Sequence, residues 1–316
     1  MVKDKIVITG TGGFIGGALL LRLLERYPTR NFISIDRRGL YFKSERVVHY
    51  QQDINNGLPD LDDVRIVVHL AAFPSIRDSD KQVESVIKDN IFATQNTIDK
   101  CISNWKPKRL IITSSSSVYD GSVDWHMKEN GSKKLLSLYA VSKITNENTL
   151  KMYQNNGKLN EIEGVCIRPF PVYGPNQRDE LCIQAIINSF IKDTAFFLYG
   201  DGSVKRDFTY IDDTCAAIEA LMFAEKLNHS TYNIGTGENI SINEVIYKIS
   251  KHFNKPLKIK HEPPTIYDTK FTRANINRIN EDTGWKPLMD FDEGLKKQIE
   301  YQQRMYDLDM TTNREV

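Results

Sequence analysis

A chain of 316 residues with a formal net charge of +1 is larger than one small core and lacks the basic excess of a nucleic-acid or anionic-membrane binder. With 40% apolar and 26% charged residues it reads as a globular protein built from one large domain and a smaller partner. Its apolar stretches are too short to span a bilayer, no secretory signal is visible, and Cys101, Cys166, Cys182 and Cys215 show no metal-ligand spacing. A cytoplasmic protein with reduced thiols and no metal is therefore expected.

In chain order, residues 2–9 form a buried strand, and residues 14–27 carry Leu19, Leu20, Leu23 and Leu24 at helical spacing before Pro28. Residues 31–36 are a strand. Residues 65–70 are another, with a continuous Ile66-Val67-Val68 run typical of strands buried on both faces. A helix over 83–105, a strand over 109–113, a helix over 138–155 and a strand over 164–168 follow. This alternation predicts an α/β fold: a doubly wound parallel sheet (Rossmann) over residues 1–168. Pro169, Pro171, Gly174 and Pro175 then mark the exit from the sheet. A helix over 182–192 and a strand near Phe197 come next. Residues 208–211 and 232–234 are expected to return to the sheet edge, as part of return segments near 207–240. Residues 169–206 and 241–316 are assigned to a smaller, interleaved C-terminal α+β substrate lobe. Asn239 and Asn243 flank a helix start and read as caps.

Gly10, Gly13 and Gly16 form Gly-x-x-Gly-x-x-Gly between the first strand and the first helix. Side chains there would block a tight turn and the approach of backbone N–H groups to a pyrophosphate at the helix's positive end. Asp36 ends the next strand about 20 residues on, where a carboxylate binds ribose hydroxyls and repels a 2′-phosphate. NAD is therefore favoured, although Arg37 and Arg38 can tolerate a phosphate. Asp53 either faces the adenine or is a solvated strand-end acid. Ala71 and Ala72 either let a cofactor pass closely or are core alanines.

Tyr139 and Lys143 lie one turn apart on the helix over 138–155. A free phenol, with a pKa near ~10, is a poor base at neutral pH, and a neighbouring ammonium is expected to lower it. Ser115 or Ser116, at the end of the preceding strand, can donate a hydrogen bond to a substrate oxygen. Together these groups suit the oxidation of an alcohol.

The chain resembles the extended short-chain dehydrogenase/reductase family, in its nucleotide-sugar epimerase/dehydratase group. The matching segments are 9–16, 69–72, 114–119, 139–143, 168–175, 206–213, 232–237 and 284–287, in family order along nearly the whole chain. The resemblance implies bound NAD, a nucleoside-diphosphate sugar between the lobes, and a homodimer packed through the helices that hold Asn90 and Tyr139. It places Ser115 at the catalytic Ser/Thr position, with Tyr139 and Lys143. Besides the residues above, it implies cofactor contacts from Phe14, Ile15, Ile54, Leu70 and Asn90. For the substrate it implies Ser115 and Ser116, Arg206 and Arg273 at the diphosphate, and Arg178, which resembles the arginine that reads the carboxylate in uronate 4-epimerases. Arg178 reads equally well as a surface arginine, and Arg206 can instead pair with Asp207 or Asp212.

Dehydratases of this group carry carboxylates where this chain has Ser116 and Ser117, because eliminating water needs an acid and a base beside the ring. Serines leave oxidation followed by reduction, so an NAD-dependent 4-epimerase of a UDP-hexose or UDP-hexuronate is expected. A 4-ketoreductase or atypical dehydratase is the alternative, and a non-catalytic NAD-binding regulator a remoter one. Pro171, Asp120, Thr265 and Ile266 depart from the group's pattern.

Overall fold

The computed structural model describes residues 4–119, 126–267 and 269–312; Asp120 and Asp268 lie outside these. Its centre is a seven-stranded, wholly parallel sheet. Six strands come from the first 169 residues: β1 (Lys5–Thr9), β2 (Phe32–Asp36), β3 (Val47–Gln51), β4 (Val64–His69), β5 (Arg109–Thr113) and β6 (Glu163–Pro169). The order across the sheet is Thr231–Ile234, β6, β5, β4, β1, β2, β3. The order reverses between β1 and β4, the position at which doubly wound sheets open a ligand crevice.

Alternation along β1 builds the layers. Ile6 and Ile8 join Leu19, Leu20 and Leu23 of the helix Phe14–Arg26, while Val7 points to the opposite face with Ile33, Trp105 and Leu150. The expected helix over 83–105 is helical throughout but uneven: Ile87–Phe92 and Cys101–Trp105 widen to π geometry.

One expected return segment does not reach the sheet. Thr231–Ile234 pairs with β6, whereas Thr209–Tyr210 pairs with Val172–Tyr173 outside it. The chain cannot extend this second strand, because Ile211 opens the helix Ile211–Phe223, with Asp212 and Asp213 in its first, positively polarised turn.

In the C-terminal half, Phe196–Tyr199 pairs in parallel with Ile259–Glu262, and Lys205–Arg206 antiparallel with Ile240–Ser241. The expected Asn caps are replaced. Ser241 caps the helix Ile242–Phe253 in a capping box with Glu244, while Asn239 and Asn243 donate to the carbonyls of Thr272 and Asp201. Among the described residues, no helix is long and apolar enough to cross a membrane, and no cluster of His, Cys, Asp or Glu could hold a metal.

Candidate active site

A cleft of about 1460 Å3 opens along the carboxyl ends of β1, β2, β4, β5 and β6. At its floor Gly10 adopts φ +76°, and a Cβ there would stand 2.6 Å from the backbone nitrogen of Ala71. A Cβ on Gly16 would stand 2.2 Å from the carbonyl oxygen of Gly10. Only glycine fits either place, so the first helix starts directly under the cleft with its N–H groups facing in. Phe14, Ile15, Asp36, Asp53, Ile54, Leu70, Ala71 and Ala72 all line the same cleft.

Asp36 is nearly buried and accepts the N–H groups of Gly12 (2.9 Å) and Arg38 (2.8 Å). Its carboxylate is thereby fixed at the end of β2. Arg37 is engaged elsewhere, in an ion pair with Asp89 at 2.7 Å. Asp53 caps the short turn Ile54–Asn56 by accepting Asn55 N–H.

Asn90 is not in the cleft wall. It is fully buried and exchanges hydrogen bonds with the backbone of Phe73, accepting at 2.7 Å and donating at 3.2 Å, and it donates to Ser142 Oγ at 2.9 Å. Its π-helical turn points the amide inward, so it clamps the Phe73 loop to the helix of Tyr139 with both amide hydrogens engaged.

The helix Leu138–Asn155 begins at Ser137, whose side chain accepts Ala140 N–H. This start sets Tyr139 in the cleft wall beside Ser115 and Ser116. Lys143 is 2% exposed and donates to the Thr113 carbonyl at 2.9 Å, with its nitrogen 5.6 Å from the centre of the Tyr139 ring. Burial pushes the Lys143 ammonium down to about 8. Burial also pushes the Tyr139 phenol above its ordinary value, opposed by the Ser115 hydrogen bond and the charge of Arg178. The expected depression of the Tyr139 phenol by Lys143 is thus not what this structure shows. Desolvation outweighs the Ser115 hydrogen bond and the Arg178 charge, while the Lys143 ammonium directs a proton at a backbone carbonyl.

Thr113 also lines the cleft, and its buried hydroxyl has no hydrogen-bond partner among the described residues. An orphaned hydroxyl beside Lys143, a glycine cradle and a fixed carboxylate at the end of β2 fit a dinucleotide.

Arg178 reaches the cleft wall. It pairs with Glu180 at 2.7 Å and donates to the Pro74 carbonyl at 3.3 Å. Arg206 and Arg273 do not. Arg206 donates to the carbonyls of Lys205 and Thr269, and Arg273 to that of Gly237, so both brace loops of the C-terminal half. Asp207 faces inward and accepts the N–H groups of Thr236, Gly237 and Ala274. It is therefore not the partner of Arg206.

Behind the serines lies a network that the motifs did not announce. Glu147, one turn beyond Lys143, accepts Ser114 Oγ and forms a two-pronged pair with Arg168, with Arg168 Nε at 2.7 Å. Arg168 also reaches Tyr119 Oη and the Glu129 carbonyl, and Tyr119 donates to Asn233 at 2.9 Å. The i, i+4 spacing of Lys143 and Glu147 was the available signal, since it puts an acid on the face that carries Tyr139.

The profile of the NAD dependent epimerase/dehydratase family matches residues 6–235. The UDP-glucuronate 4-epimerase of Thermodesulfobacterium geofontis is 28% identical, covering 96% of this chain and 97% of its own. UDP-glucuronate 4-epimerase 5 of Arabidopsis thaliana is 30% identical, covering 95% of this chain and 76% of its own. The crystal structure of UDP-glucuronic acid 4-epimerase from Bacillus cereus, in complex with UDP-glucuronic acid and NAD, superposes with a TM-score of 0.87 at 29% identity. That match covers 96% of this chain and all of the other. A profile that spans most of the chain, a shared fold and a glycine cradle shaped for a dinucleotide agree: the protein belongs to the NAD-dependent epimerase/dehydratase family.

Proposed function

We propose that this protein is an NAD-dependent 4-epimerase of a UDP-linked hexuronate or hexose, working through a 4-keto sugar. The observation that carries the reading is the make-up of the wall around Tyr139: Ser115 and Ser116 on one side, Arg178 on the other, and no carboxylate among the described residues of the turn 114–119. A hydroxyl proton can be exchanged there, but elimination has no acid and base to drive it.

Tyr139 accepts the 4-hydroxyl proton as hydride leaves carbon 4, and returns it when hydride comes back to the opposite face. Bound NAD supplies the hydride acceptor and, once reduced, the donor. Ser115 steadies the phenol oxygen. Lys143 holds the end of β5 against the Tyr139 helix through the Thr113 carbonyl and would face the nicotinamide ribose. Gly10, Gly13 and Gly16 would take the pyrophosphate and Asp36 the adenosine ribose. The ion pairs of Arg37 with Asp89 and of Arg38 with Asp36, the latter at 3.5 Å, favour NAD over NADP, because they engage the arginines that would otherwise receive a 2′-phosphate.

Among the described residues Arg178 is the one arginine of the C-terminal half in the cleft wall, and its charge acts on Tyr139, so it faces the sugar. A carboxylate on the sugar suits it. To test the reading, UDP-glucuronate, UDP-glucose and their N-acetylamino counterparts are incubated with the NAD-loaded enzyme and followed by NMR. The expected product is the 4-epimer; a 4-keto-6-deoxy sugar from any of them would refute it.

The working unit in this reading is a homodimer. The helical run over 83–105 and the helix Leu138–Asn155 pack together, and between them they leave Val83, Phe92, Val141 and Met152 exposed, Phe92 by 57%. Phe92→Asp should shift the sedimentation coefficient from dimer to monomer. A wild type already monomeric at micromolar concentration would refute the dimer. A cytoplasmic setting fits the buried thiols of Cys101, Cys166 and Cys215.

A further inference from the structure

A relay of buried amides runs from the C-terminal helix Phe291–Thr312 to both neighbours of Arg178. We infer that Gln298 of that helix sets the sugar selectivity of the cleft by fixing the loop that carries Arg178. This rests on the reading that Arg178 faces the sugar.

Gln298 is fully buried. Its Oε1 accepts the N–H of Gly174 at 2.9 Å, and its Nε2 donates to the Oε1 atoms of Gln177 and Gln184, each at 2.8 Å. Gln177 Oε1 accepts Gln184 N–H as well, and its Nε2 donates to the Val172 carbonyl at 2.7 Å. Gln184 then donates to Asn188 Oδ1 at 3.1 Å, and Asn188 donates to Asp179 Oδ1 at 2.9 Å. Residues 177 and 179 are thus gripped on either side of Arg178. One turn further along the helix, Tyr301 donates to Asn176 Oδ1.

Two backbone bonds close turns inside the loop, Gln177 N–H to the Gly174 carbonyl at 3.1 Å and Leu181 N–H to the Arg178 carbonyl at 3.0 Å, and the relay ties these turns to the C-terminal helix. Gly174 adopts φ +140°, and a Cβ there would stand 2.6 Å from Ile211 Cγ2; Asn176 is also at positive φ. A leucine at 298 would fill the space at lower desolvation cost. An amide carries a donor and an acceptor in one plane, and buried groups of that kind are satisfied in only one arrangement of the loop. Arg178 itself touches only Glu180 and the Pro74 carbonyl in the ion pairs and hydrogen bonds described above, so it follows the loop wherever it goes. Tyr139, Lys143 and the glycine turn stand on other elements and do not depend on the relay.

The test is steady-state kinetics of the NAD-loaded enzyme with UDP-glucuronate and with UDP-glucose, for Gln298→Leu, Asp179→Ala, Arg178→Ala and the double variant of Gln298 and Arg178. Gln298→Leu should raise KM for the uronate about 10- to 100-fold, with kcat changed no more than about threefold. The preference between the two sugars should move toward that of Arg178→Ala, and the double variant should lose no more than Arg178→Ala alone. Asp179 is exposed, so Asp179→Ala keeps the fold and should shift the preference the same way by a smaller factor. If Gln298→Leu does not fold, Asp179→Ala decides. Equal losses on both sugars in Gln298→Leu, with Asp179→Ala unchanged, would overturn the inference. An Arg178→Ala enzyme with unaltered preference would instead refute the reading of Arg178 itself.

Discussion

Tyr139→Phe is expected to lower kcat about 100- to 10,000-fold while leaving the affinities for NAD and nucleotide sugar within about twofold. The substitution keeps the ring and its place in the wall and removes only the hydroxyl that Ser115 holds. Burial raises the phenol, opposed by the Ser115 hydrogen bond and the charge of Arg178; to accept the 4-hydroxyl proton Tyr139 must enter the ternary complex as phenolate, a form that the Arg178 charge and the positive charge of bound NAD would favour. Rapid-reaction kinetics with equilibrium dialysis of both ligands checks this. A loss confined to KM would mean that Tyr139 binds the sugar without exchanging its proton.

Glu147→Ala should cost about 3–5 kcal/mol of stability, seen as a lower urea midpoint at unchanged slope. Glu147 and Arg168 are 8% and 2% exposed, and removing the carboxylate strands the guanidinium in the core. The same change frees Ser114, the residue before Ser115, and unties the catalytic helix from β6. Kinetics should worsen along with stability, whereas a surface ion pair such as Lys297 with Glu293 should be removable at a cost below about 1 kcal/mol. A Glu147→Ala midpoint equal to that of the wild type would show that Arg168 finds another partner.

The sheet was legible where a strand is a short apolar run and a helix an amphipathic one, which covered five of the six strands between residues 5 and 169; Val47–Gln51, a half-exposed edge strand with His49 and Gln51 in it, was not expected. Thr209–Tyr210 was misplaced for a physical reason. Two residues of strand followed at once by a helix start carry no period, and their partner strand, Val172–Tyr173, is just as short. The cap of Ile242–Phe253 was written in the sequence as Ser241 with Glu244 three residues later, yet the flanking asparagines drew the assignment.

At the site, residues fixed by backbone geometry could be read. Gly10 and Gly16 admit no side chain, and Tyr139 follows from a capped helix. Long side chains could not. Arg206 and Arg273 sit in motif-like surroundings, but their guanidiniums turn to carbonyls of neighbouring loops, a choice made by tertiary contacts. Asn90 likewise turned inward at a π-helical stretch that no local pattern marks. The amide relay from Gln298 joins residues more than a hundred positions apart and has no sequence signature at all.

The most direct test of the central claim uses UDP-glucuronate deuterated at carbon 4, incubated with the enzyme and less than one equivalent of NAD. The expected result is the 4-epimer with deuterium retained at carbon 4, many turnovers per NAD and no accumulation of NADH. Loss of the label to water, stoichiometric NADH, or a product lacking one water would contradict it.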